Sequence, residues 1–113
     1  MIQSLLLFLF LMTGLPPPAP VTFSLVPTQA NSPAVINAKI TIQPDYLSRQ
    51  GCIEWDSPEG EAGKHCWPQE GQYAYKTTWF QIFINTPGNY KVVAFVVRVS
   101  DTLYATPQTV IIN

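Results

Sequence analysis

Apolar and polar side chains alternate one by one through most of this chain, and that period of two limits its fold more than any other feature. Over residues 35–42, Ile36, Ala38, Ile40 and Ile42 fall on one face of an extended strand, with Asn37, Lys39 and Thr41 on the other. Residues 21–26 repeat the pattern, with Val21, Phe23 and Leu25 set against Thr22 and Ser24. In residues 77–84, Phe80, Ile82 and Ile84 share one face and leave Trp79, Gln81 and Phe83 on the opposite one. Each segment reads as a strand buried on one side only, the habit of antiparallel sheets.

The same reading predicts strands over 52–55, where Ile53 and Trp55 face inward, and over 64–67, 90–97 and 104–112. Turn-forming residues separate them: Pro44, Asp45 and Ser48; Asp56 through Gly60; Thr86, Pro87 and Gly88; Ser100, Asp101 and Thr102. Pro107 has no amide hydrogen to give to a ladder, which predicts that the last segment is an edge strand. About seven short strands with no amphipathic helix specify an all-β chain, folded as an antiparallel β-sandwich. No longer repeat is visible, so a solenoid or propeller is not expected.

The 113 residues have room for one domain, assigned to 21–113, behind a different kind of segment at 1–20. Leu5 through Met12 is an unbroken apolar run, too short to cross a bilayer as a helix and of the length of a secretory h-region. Pro16, Pro17, Pro18 and Pro20 then make an extended spacer. The expectation is export, with a cut near Gly14, a secreted or cell-surface location and no integral membrane span. The alternative is that the apolar run is the first buried strand.

Lys and Arg number 6 against 7 Asp and Glu, a net charge of −1, so the basic footprint that nucleic acid or an anionic membrane surface requires is missing. In an oxidising compartment, two cysteines with no competitor are expected to pair. If Cys52 and Cys66 face each other on adjacent strands, the same register sets Glu54 opposite Lys64 on the same outward face. The bridge would close a loop of about 15 residues and contribute on the order of 3 kcal/mol. A zinc site from Cys52, His65 and Cys66 lacks ligands, since the chain has one histidine. Asp56, Glu59 and Glu61 form an acidic loop, which reads as a solvated turn in preference to a calcium site. No metal or other cofactor is therefore expected. Nor is catalysis, because the lone His65 sits beside an oxidised cysteine and the carboxylates crowd into one loop instead of converging across a cleft.

Residues 77–94, Thr-Thr-Trp-Phe-Gln-Ile-Phe-Ile-Asn-Thr-Pro-Gly-Asn-Tyr-Lys-Val-Val-Ala, resemble the E and F strands of immunoglobulin-like domains of surface proteins, of the PKD and bacterial Ig-like groups. Gly88, Tyr90 and Val92 match the Gly-x-Tyr-x-Val that opens strand F there. The resemblance implies an Ig-like sandwich in which Tyr90 makes the tyrosine corner and Trp55 takes the strand C tryptophan position. The inter-sheet disulfide of antibody domains has no counterpart, since Ile40 and Val92 are in those strands.

On the outward faces, Trp79 and Phe83 form one apolar stripe and Val93, Phe95 and Val97 another. Either they form binding surfaces, or Tyr73, Tyr75 and the Pro-rich segment cover them. The expected role is a non-enzymatic extracellular interaction or spacer module that binds a protein partner or neighbouring domain. The alternatives are a carbohydrate-binding module, with Trp79, Tyr73 or Tyr75 stacked on a glycan, and a structural subunit of a surface appendage or virion. Export is checked by the mass of the protein from its native host: the expected mass lacks the residues before about Gly14, and a retained Met1 would rule out cleavage.

Overall fold

The computed structural model describes residues 19–69 and 75–113. The signal-like segment up to residue 18 and Tyr73 lie outside the described residues. The strands are β1 (Val21–Val26), β2 (Gln29–Ala30), β3 (Ala34–Ile42), β4 (Ser48–Asp56), β5 (Ala62–Pro68), β6 (Lys76–Ile84), β7 (Gly88–Arg98), β8 (Thr102–Tyr104) and β9 (Gln108–Ile112). No helix among the described residues is long and apolar enough to cross a membrane.

Two sheets face each other. One has the order β1-β3-β6 and the other β2-β9-β7-β4-β5, with β8 also paired to β7. The alternation sets their spacing, because each strand turns one apolar row inward. Ile36, Ile40 and Ile42 of β3 and Ile82 and Ile84 of β6 meet Ile53 of β4, Tyr90, Val92 and Val96 of β7, and Val110 of β9, all at most 1% exposed. Burying each such aliphatic side chain is worth roughly 1.5–3 kcal/mol. The seam thus supplies most of what holds the sheets together.

The segment expected as a single last strand is two. β8 and β9 both pair with β7, and Pro107 falls in the gap between them, where no ladder needs its amide. The segment is not the edge either. β2 lies parallel to β9, and Ile111 N–H donates to Thr28 O at 2.9 Å. A two-residue strand supported by one neighbour leaves no periodic trace in the sequence.

The β4–β5 hairpin has the expected register, with Cys52 opposite Cys66 in a disulfide and Glu54 opposite Lys64. On its inward face two tryptophans interlock with two glycines. Trp55 of β4 lies over Gly63 of β5, and Trp67 of β5 lies over Gly51 of β4. A Cβ on Gly51 would come within 2.5 Å of the Trp67 ring, and one on Gly63 would enter the Trp55 ring. Between the two pairs, His65 lies opposite Ile53 and stacks on Phe80 of the other sheet, with ring centroids 4.1 Å apart.

Tyr90 is fully buried, and its hydroxyl donates to Thr86 O at 2.7 Å and accepts from Glu61 N–H at 3.0 Å. One phenol thereby ties the β6–β7 turn to the loop of the β4–β5 hairpin.

At most strand positions alanine is preferred to glycine. Gly51→Ala and Gly63→Ala should reverse that sign, each lowering unfolding free energy by about 1–3 kcal/mol because the tryptophan above must move. Urea denaturation of the two variants measures this.

Candidate functional site

The outward face of the three-stranded sheet is built by the register of β3 against β6. Lys39 lies opposite Trp79, Asn37 opposite Gln81, and Val35 opposite Phe83. The Lys39 ammonium sits 5.3 Å from the Trp79 ring centroid. Gln81 Nε2 donates to Asn37 Oδ1 at 3.2 Å, and the Thr41 and Thr77 hydroxyls bond at 3.2 Å. Trp79 is 68% exposed and Phe83 62%, with Val26 at 63% and Val35 at 42% on the same face. Trp79 and Phe83 thus flank the amide pair along β6, with Val35 beside Phe83 and Val26 beside Asn37. Four residue steps of about 3.3 Å along β6 set Trp79 and Phe83 roughly 13 Å apart.

The second expected stripe is not a surface. Val93 is 8% and Phe95 6% exposed, and Val97 is half-buried. The cause is the disulfide, which projects from the same face, with Cys52 directly opposite Phe95. Lys64 adds its ammonium 5.8 Å from the Phe95 centroid, and Tyr104 of β8 packs its ring at 5.2 Å. The pairing of Cys52 with Cys66 and of Glu54 with Lys64 was readable, but the lid that these side chains make over β7 needed the neighbouring strands. The same holds for Lys39, Asn37 and Val35, whose outward facing was legible and whose partners on β6 were not.

The acidic loop has a structural use. Glu61 accepts from Asn85 N–H at 3.2 Å and from the Thr86 hydroxyl at 3.0 Å, and Glu59 accepts from Asn89 N–H at 3.3 Å. These carboxylates fasten the loop to the start of β7 beside the Tyr90 hydroxyl. Among the described residues no three His, Cys, Asp or Glu side chains gather as a metal site.

No known family matches the sequence, and no curated protein matches it. Among solved structures, the chain is similar to the superoxide reductase (neelaredoxin) from Ignicoccus hospitalis. The TM-score is 0.60 at 9% identity, over 82% of this chain and 80% of that one. The class is thus a β-sandwich, shared in fold with a reductase.

That likeness corrects the expected role. The expectation of a non-enzymatic interaction or spacer module rests mostly on fold analogy, and a sandwich of this shape also serves an enzyme. Fold therefore gives no ground for the spacer reading. At 9% identity no residue role passes from the reductase to this chain either. Its own donor set is sparse, with one histidine in the sequence and both cysteines joined to each other.

The two stripes should separate by stability. Trp79→Ala and Phe83→Ala are expected to change unfolding free energy by less than about 1 kcal/mol each. Phe95→Ala should cost about 3 kcal/mol or more, because it opens a void beneath the disulfide. Thermal and chemical denaturation of the three variants checks the ordering.

Proposed function

We propose that the chain is the folded domain of an exported protein, that its sandwich is of the immunoglobulin-like type, and that it takes a ligand on the outward face of the three-stranded sheet. Trp79 and Phe83 are the anchoring side chains. The observation behind this reading is the gathering of four large apolar side chains, Val26, Val35, Trp79 and Phe83, on that one face, all well exposed. Large exposed apolar side chains gathered around a polar pair on one face mark binding surfaces.

The immunoglobulin-like type is supported by the strand order, β1-β3-β6 against β9-β7-β4-β5, and by the bond from the Tyr90 hydroxyl to the Thr86 carbonyl at the β6–β7 corner. Trp55, on the β4 strand beside β7, fits the strand C position. Export is supported by the apolar run at Leu5 through Met12 and by the disulfide, which is compatible with an oxidising compartment. The site also constrains the ligand. It should offer flat apolar surface to both rings and hydrogen-bonding groups to Asn37 and Gln81 between them.

Fluorescently labelled mature protein is expected to bind the cell-envelope fraction of its own host. The double variant Trp79→Ala, Phe83→Ala should bind about tenfold or more weakly at an unchanged melting temperature. Undiminished binding by the double variant would overturn the assignment.

A further inference from the structure

Among the described residues, β6 is an unguarded edge. It pairs with β3 alone, and no strand among the described residues lies on its other side. Natural sheets protect such edges with short strands, prolines or charges. The other outer strands here have these devices. β1 is six residues long between Pro20 and Pro27, β2 has two residues, and β5 has Lys64 near its middle and ends at Pro68. β6 has nine residues, and after Lys76 no charge or proline interrupts it. Thr77 through Ile84 is instead rich in aromatic and β-branched side chains, the types that favour strand pairing.

We infer that β6 pairs antiparallel with β6 of a second copy of this chain, joining two three-stranded sheets into one of the order β1-β3-β6-β6-β3-β1. The partner is identified by self-complementarity. A two-fold axis perpendicular to the sheet sets one residue of β6 opposite its own copy. With Gln81 on the axis, Trp79 falls opposite Phe83 of the other copy and Phe83 opposite its Trp79. On the inward face Phe80 meets Ile82 and Thr78 meets Ile84, while Lys76 falls opposite the uncharged Thr86. No charge opposes a charge anywhere along the pairing. Moving the axis to Phe80 would put Trp79 against Gln81 and Phe83 against Thr77, losing both aromatic pairs. Moving it to Trp79 would pair the two Trp79 rings and set Phe83 against Tyr75, but on the inward face it would put Lys76 against Ile82 and Phe80 against Thr78. The Gln81 register alone keeps aromatic pairs outward and the apolar Phe80–Ile82 pair inward, and is preferred.

The pairing fits the exposure of β6. Trp79 and Phe83 are among the most exposed large apolar side chains of the molecule, and in the dimer each gains an aromatic neighbour across the seam. Both rings stay on the outward face, so the patch of each copy would continue into the other. The inference does not depend on the ligand reading: the dimer is read by mass on unliganded protein, and the envelope assay is run at concentrations below the dimer dissociation constant, where loss of the aromatic pairs from the seam does not enter.

Sedimentation equilibrium of the mature chain is expected to give the mass of a dimer that dissociates on dilution. Gln81→Lys sets two ammonium groups against each other on the axis and should raise the dissociation constant roughly tenfold or more, with an unchanged circular dichroism spectrum. Gln81→Cys should cross-link across the axis under mild oxidation, whereas Thr22→Cys, on β1 of the same face, should not. A monomer mass at every concentration, a dimer indifferent to Gln81→Lys, or equal cross-linking by the two cysteine variants would overturn the inference.

Discussion

Everything in this sandwich leans on one dry seam, where the isoleucines of β3 and β6 meet the inward row of β7 and its neighbours. The fully buried part of the seam is aliphatic apart from Tyr90, and that exception organises the end of the molecule. A buried phenol must place its hydroxyl in hydrogen bonds or lose more than its ring gains. The Tyr90 hydroxyl does so by joining Thr86 O to Glu61 N–H, and Glu61 then uses its carboxylate on Asn85 and Thr86. The loop between β4 and β5 and the turn between β6 and β7 are therefore fixed by a core residue. Because β4 and β6 belong to different sheets, the same contact also ties the two sheets at that end.

The β4–β5 hairpin is fastened differently on its two faces. Outward, the Cys52–Cys66 bridge and the Lys64 ammonium cover Phe95 of β7. Inward, Trp55 and Trp67 each fill the space that a glycine leaves on the opposite strand, and His65 extends the packing to Phe80. The disulfide lies within one sheet, so it fixes a strand to its neighbour and does not clamp the layers. This division explains why one sheet has a covered outer face near β7 while the other keeps Trp79 and Phe83 in water. The second sheet has no covalent lid, only Lys39 over Trp79.

The period-two pattern located β1, β3, β6 and β7 within a residue or two, because each has one buried face and alternation reports burial directly. The hairpin register was equally plain, since the cysteine pair and the Glu54–Lys64 pair require the same offset. Other features left less trace. β2 is held by β9 from more than seventy residues away, and nothing in its two residues announces a strand. The division of the last segment into β8 and β9 follows from how β7 pairs with it. Val93 and Phe95 looked like surface because they lie on the outward face, yet outward from the core is not the same as open to solvent once a disulfide and Tyr104 lie on top.

The sequence by itself determined an all-β sandwich, the facing of nearly every strand residue, and the pairing of Cys52 with Cys66. These are local properties, set by the two-residue repeat of an extended backbone and by opposite partners within one hairpin. Only the tertiary structure decided which outward apolar stripe stays exposed, which residues of β3 stand beside Trp79 and Phe83, and that β6 is the last described strand of its sheet. Those depend on contacts between segments far apart in the chain. A strand's own residues state which face is apolar, and the strands that come to lie beside it decide whether water reaches that face.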